Sequence, residues 1–232
     1  MLIVITGASK GIGKAVAQEF ASNGHQLLLC SRNDYTLYQT VQDLQNRYPQ
    51  AEIKGLPVDL SNKEGCVRFA EWIGRTGTPD ILVNNAGQFV PGSIHNEPED
   101  ALETMLAANL LSAYHLTRLL LPGMMERKSG HIFNICSIAS LAAYSNGGAY
   151  SISKFALLGF SRNLREEMKP HGIKVTAVLP GATYTDSWAS SGLDPKRFMT
   201  AEDIAVLIAA SSRLSSQACV EDIIVRPQLG DL

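Results

Sequence analysis

The chain has 232 residues with a formal net charge of −2, and 45% of its residues are hydrophobic and 18% charged. A chain of this length buries about 70% of its unfolded surface, so one core can hold without disulfides or structural metal. The small net charge argues against nucleic acid or an anionic membrane surface as the main partner. Cys30, Cys66, Cys136 and Cys219 are too scattered for a zinc ligand set or a disulfide framework, so no metal is expected and a reducing, cytoplasmic setting fits.

The opening "MLIVITG" reads as a strand entering a turn, not as a signal peptide. No apolar run approaches the ~20 residues of a membrane span. Short aliphatic runs predict strands over 2–6, 26–31, 52–58, 81–84, 130–136, 174–179 and 222–226. Several are apolar at nearly every position, as expected for strands covered on both faces. Between them lie predicted helices over 11–23, 34–48, 62–75, 97–127, 149–169 and 201–214. In "SNKEGCVRFAEWI", Ser61 is the expected cap, and Val67, Ala70 and Ile73 recur at helical spacing. The alternation predicts one α/β domain over residues 1–232, with a doubly wound parallel sheet of about seven strands and helices on both faces. The irregular stretch 183–199 reads as a mobile loop or lid.

"TGASKGIG" (Thr6 to Gly13) follows the first strand and opens the first helix, where a doubly wound fold binds a dinucleotide. Gly7 permits the tight turn, Gly11 the approach of a pyrophosphate, and Gly13 close helix–strand packing. Ser9, Lys10 and Ile12 lie in the same turn, and the helix N-terminus offers free N–H groups to phosphate. At the end of the second strand, where an NAD enzyme usually carries an acid, the chain reads Ser31–Arg32. A hydroxyl and a guanidinium suit a 2′-phosphate, which predicts NADP(H).

These residues and those that follow resemble the short-chain dehydrogenase/reductase family along essentially the whole chain. The resemblance implies a single Rossmann-type domain. "VDL" would set Asp59 and Leu60 at the adenine, and "NNAG" would line the cofactor pocket with Asn85, Ala86 and Gly87. "PGATYT" would hold the nicotinamide with Pro180, Gly181, Thr183 and Thr185. "AANLLSAY", "NICSIAS" and "YSISK" supply Asn109, Ser137, Tyr150 and Lys154 at the family's catalytic positions. The C-terminal third, with "AEDIA" and "VEDIIVRPQLGDL", is similar to bacterial sepiapterin-reductase-like members.

Reduction of a carbonyl leaves an alkoxide that needs a positioned acid. On one helix, Tyr150 and Lys154 share a face at i,i+4, and the ammonium is expected to lower the phenol pKa. Lys154 would also reach the nicotinamide ribose, Ser137 would polarise the carbonyl, and Asn109 would hold a water linking Lys154 to solvent. The five histidines are scattered, and none is assigned to catalysis. Gln88 to Val90, Ile138 to Asn146 and Tyr184 to Trp188 are expected to wall the substrate. Among them Phe89, Tyr144 and Trp188 offer flat surfaces beside Ser137 and Tyr150. Asp231 is placed to reach over the pocket toward a substrate amine.

The expected activity is NADPH-dependent reduction of a small or planar carbonyl, sepiapterin-like in the leading instance. A 3-oxoacyl-carrier reductase is the alternative enzyme, and a non-catalytic NADP sensor or scaffold is the alternative of another class. The helices containing Asn109 and Tyr150 are expected to pair copies into a homodimer or homotetramer, as such helices do in the family.

Overall fold

The computed structural model describes residues 1–185 and 192–231. Seven strands form one parallel sheet in the order β3-β2-β1-β4-β5-β6-β7. They are β1 (Leu2–Thr6), β2 (Gln26–Ser31), β3 (Ile53–Pro57), β4 (Ile81–Asn84), β5 (Gly130–Ile135), β6 (Ile173–Pro180) and β7 (Asp222–Val225). The order steps outward from β1 to β3 and then returns to β4, so the direction reverses between β1 and β4. A crevice at the carboxyl edge of the sheet follows from that reversal.

The helices are α1 (Gly11–Ser22), α2 (Asp34–Arg47), α3 (Lys63–Gly74), α4 (Ala101–Leu106), α5 (Ser112–Arg127), α6 (Gly148–Met168) and α7 (Ala201–Ser212). The apolar strand runs divide by alternation. Ile3, Ile5, Leu27 and Leu29 pack with Phe20, Leu37 and Ile204 of α1, α2 and α7. Val4, Leu28 and Leu82 pack with Phe69, Leu116 and Leu164 of α3, α5 and α6. The uninterrupted hydrophobicity of "LIVIT" and "QLLLC" therefore feeds two cores, one on each face of the sheet.

Polar side chains interrupt the second core in one place. Asn84 of β4 donates to Thr117 Oγ1 of α5 at 3.0 Å and to Asn134 Oδ1 of β5 at 2.8 Å. Asn134 donates onward to Ser161 Oγ of α6 at 2.8 Å, and Ser161 donates to Leu157 O at 2.7 Å. This chain of side chains ties α5, β4, β5 and α6 together beneath the crevice.

Two expectations are corrected. The helix predicted over 97–127 begins at Ala101 and is interrupted by a π-helical turn, Ala107–Leu111, centred on Asn109. Single π turns inside α-helices often mark functional positions, but they leave no periodicity signal in sequence. The cap of α3 is Asn62, not Ser61: Asn62 Oδ1 accepts from Gly65 N at 2.8 Å. Ser61 stands one residue too early for the cap, and its own N–H donates to Asp59 Oδ1 at 2.9 Å. The stripe that α3 buries is correspondingly Cys66, Phe69 and Ile73, with Ala70 packed alongside and Val67 at its edge.

Candidate active site

The glycine turn at the end of β1 is locked to the turn after β4. Thr6 Oγ1 accepts from the amides of Asn85 at 2.9 Å and Ala86 at 2.8 Å. The Asn85 amide donates to Thr6 O and Gly7 O at 2.9 and 3.0 Å. Gly7 has φ +64°, and a Cβ at Gly13 would lie 2.4 Å from both Gly7 O and Asn85 Nδ2. No side chain fits there, so the helix can approach the strand only with glycine. The N-terminus of α1 has neither a side-chain cap nor an acidic residue in its first turn. Its leading N–H groups stay available to an anion.

This turn opens onto a cavity of about 840 Å³. Gly7, Ser9, Lys10, Gly11 and Ile12 line one end, and Ser31 and Arg32 from β2 continue it. Ser31 Oγ donates to Asn33 O at 3.1 Å, and Arg32 makes no ion pair among the described residues. Asp59, Leu60, Asn85, Ala86, Gly87, Pro180, Gly181, Thr183 and Thr185 complete the walls, so of the predicted cofactor positions only Gly13 stands behind them. Asn33, Thr36 and Ser61 also line the cavity and were missed. Asn33 and Thr36 form the cap of α2, with Thr36 N donating to Asn33 Oδ1 at 2.9 Å. Their position one turn beyond Arg32 was the available signal.

The other end is built from side chains. Ser137 closes β5 and starts a short turn, Ile138–Ser140; its Oγ accepts from Ala139 N at 3.1 Å. Ser140 Oγ accepts from Ser137 N at 3.2 Å and is buried, so the two serines divide into one cavity-lining hydroxyl and one structural cap. Tyr150, in the first turn of α6, lines the same wall as Ser137. Phe89 packs edge-on against the Tyr150 ring at 4.8 Å.

Lys154 is buried one turn on. Its Nζ donates to Ile135 O at 2.8 Å and lies 5.7 Å from the centre of the Tyr150 ring. Burial lowers its pKa to about 8. The structure reverses the expected direction for Tyr150: burial pushes the phenol up, and the Ser137 hydroxyl beside it offsets this only in part. The ammonium sits over the ring face and is spent on the Ile135 carbonyl, so it does not favour phenolate at the hydroxyl. In this state Tyr150 is a firmly protonated acid.

Asn109 lies behind the cavity wall, not on it. Its Oδ1 accepts from Gln88 N at 2.8 Å, and its amide donates to Gln88 O at 3.1 Å and Ser153 Oγ at 2.9 Å. Ser153 Oγ donates to Tyr150 O at 2.7 Å. The side chain thereby ties the strand-end loop to α6. A Cβ at Gly87 would meet Asn109 Oδ1 at 2.8 Å, which accounts for the glycine beside it.

Gln88, Phe89, Ile138 and Tyr144 line the substrate end, whereas Val90 and Tyr184 do not; Tyr184 packs on Phe198 at 5.6 Å. Trp188 lies outside the described residues. Asp231 reaches the cavity as expected, but its carboxylate is paired with Arg226, a lining residue that sequence reading missed. Among the described residues no group of His, Cys, Asp or Glu is placed to hold a metal, and no helix is long and apolar enough to cross a membrane.

The short chain dehydrogenase family model matches residues 1–196. An uncharacterized oxidoreductase of Staphylococcus aureus strain MW2 is 30% identical over 227 residues, covering 97% of this chain and 96% of that protein. A metagenomic short-chain oxidoreductase solved in complex with NADP superposes with a TM-score of 0.83 at 30% identity, covering 98% of this chain and 97% of the other. L-Sorbose reductase from Gluconobacter frateurii, solved with NADPH and L-sorbose, gives a TM-score of 0.88 at 26% identity over 97% of this chain and 95% of the other. With the glycine turn, the seven-stranded order and the serine–tyrosine–lysine grouping in place, these matches settle the ancestry: the chain belongs to the short chain dehydrogenase family of oxidoreductases.

Proposed function

We propose that the chain is an NADP(H)-dependent carbonyl reductase with Tyr150 as its proton donor, acting on a small or planar ketone. Ser137 and Tyr150 together on the cavity wall, with Lys154 buried behind them, are the observation that carries this reading. The residues present fit the dinucleotide. The α1 N-terminus is uncapped, Arg32 has no ionic partner among the described residues, and Gly7 and Gly11 line the cavity without side chains. Relatives of known structure with NADP or NADPH bound support the same cofactor.

When bound, NADPH supplies the hydride that turns the carbonyl into an alkoxide. The N–H groups of α1 with Lys10 would hold phosphate, and Ser31 and Arg32 would meet the 2′-phosphate. The Ser137 Oγ accepts from Ala139 N, which leaves its own hydrogen free to donate to the carbonyl oxygen. The Tyr150 hydroxyl gives its proton to that oxygen, and the buried Lys154, held by the Ile135 carbonyl, packs over the ring face and helps to fix its position. Asn109 fixes the loop at Gln88 and, through Ser153, the Tyr150 backbone.

Phe89 and Tyr144 give the substrate end flat surfaces, which favour a planar ketone, a sepiapterin-like compound first. NADPH oxidation should be followed against pterins, diketones, ketoses and acyl thioesters. Turnover of a pterin or diketone is the expected result; activity on acyl thioesters alone would replace this substrate class with the acyl-carrier one. We also propose that two copies pair through α5 and α6, because Leu119, Ile152 and Phe155 are each more than 40% exposed on these helices. A monomer by light scattering at micromolar concentration overturns the pairing.

A further inference from the structure

The catalytic helix α6 begins without a cap of its own. Its N-cap is Gly147, which has no side chain, and its first turn contains no acidic residue. The missing acceptor comes from a separate loop: Ala149 N, one residue before Tyr150, donates to Glu97 Oε2 at 3.0 Å, across 52 residues of sequence. Glu97 is half-buried in the loop between β4 and α4, in a stretch that the sequence assigned to the start of a helix.

Other contacts of that loop converge on the same place. Gly92 N donates to Asn146 O at 3.1 Å, and Ser93 Oγ donates to Asn146 Oδ1 at 2.8 Å. Asn146 adopts φ +61°, a left-handed conformation that asparagine tolerates better than most residues. Gly148 has φ +29°, and a Cβ there would lie 2.3 Å from Glu97 Oε2 and 2.5 Å from Gly92 O. The two loops are therefore docked as closely as backbone allows. One begins with Gln88 and Phe89, and the other contains Tyr144, so the contact joins both sides of the substrate wall at the root of Tyr150.

We infer that Glu97 is a positioning residue for Tyr150, holding the first turn of α6 and the Phe89 loop in one geometry. The inference rests on the reductase reading. A side-chain cap at a helix N-terminus stabilises by about 0.5–2 kcal/mol, and a carboxylate there also complements the helix dipole. Tyr150 sits in the uncapped turn itself, so fraying displaces its hydroxyl directly. A misplacement of about 1 Å costs on the order of 10²-fold in rate.

The test compares the native protein with E97A, E97Q and S93A, using the most active carbonyl of the panel and amide exchange over residues 144–152. In E97A, kcat should fall about tenfold with KM for NADPH unchanged, and exchange over 144–152 should quicken. E97Q keeps an acceptor oxygen and should recover most of the rate. S93A removes only the second contact and should show a smaller loss in the same direction, which keeps the inference testable if E97A does not fold. A lower melting temperature with kcat unchanged, or equal losses in E97A and E97Q, overturns it. If no carbonyl is turned over, the reductase reading fails on its own account. Exchange then decides the positioning role alone, and exchange in E97A equal to the native protein's overturns it.

Discussion

At one end of the cavity the groups that meet a ligand are mostly backbone: the N–H groups opening α1 and the glycine turn, with Arg32 beside them. At the other end they are side chains from distant parts of the chain, Ser137 after β5 and Tyr150 and Lys154 on α6, with Phe89 after β4. The backbone end is specified by a few consecutive residues and survives as long as the turn forms. The side-chain end is set by packing between elements, and its chemistry depends on burial that no local stretch controls. Binding and proton transfer should therefore fail separately.

Three experiments sharpen that division. Tyr150→Phe should have the largest effect, lowering kcat by ~10² or more, in line with loss of a general acid, while NADPH affinity measured by fluorescence stays native. A parallel loss of NADPH binding would show that the two ends are one unit. Arg32→Asp addresses the opposite end and should reverse a preference for NADP over NAD by about tenfold or more, the scale of one charge-assisted contact, with kcat retained. Equal use of both cofactors by the native protein would remove the basis for this reading.

Lys154→Met reads the burial itself. The folded Lys154 titrates at about 8, below its ordinary 10.5, so between those values the unfolded chain binds the extra proton. Stability of the native protein relative to Lys154→Met should therefore rise with pH from about 8 toward 10.5, by on the order of 1 kcal/mol per pH unit in the cofactor-free protein. Below pH 8 both forms hold the proton and the difference should be flat. A flat difference throughout, in urea unfolding from pH 7 to 10, means that the ammonium is solvated and not buried.

The same division explains what the sequence made readable. The glycine turn, the strands and the helix carrying Tyr150 were legible because each is a local pattern: strand–glycine–helix, a continuous apolar run, an i,i+4 pair. The π turn at Asn109 was not, because it leaves no periodicity signal, and nor were the capping of α6 by Glu97 and the docking of Asn146 on Ser93, which join residues that only the fold brings together. The phenol of Tyr150 was misjudged for the same reason. The i,i+4 spacing placed Lys154 nearby, but only the structure gave its ammonium to the Ile135 carbonyl and let burial dominate.

The buried line of Asn84, Thr117, Asn134 and Ser161 has a consequence for how such a molecule can change. A parallel strand that slipped by one residue would turn these amides into unpaired groups in an apolar interior, at about 1–3 kcal/mol each. The rear of the crevice thus works as a fixed chassis that sets β5 and α6 against one another, whatever is mounted in front. Lys154, tied to Ile135 O at the end of β5, rides on that chassis, whereas Ser137 and the first turn of α6 are seated partly by the loops in front of it. Retooling for a new ketone therefore means changing those loops while keeping the contacts that seat Tyr150.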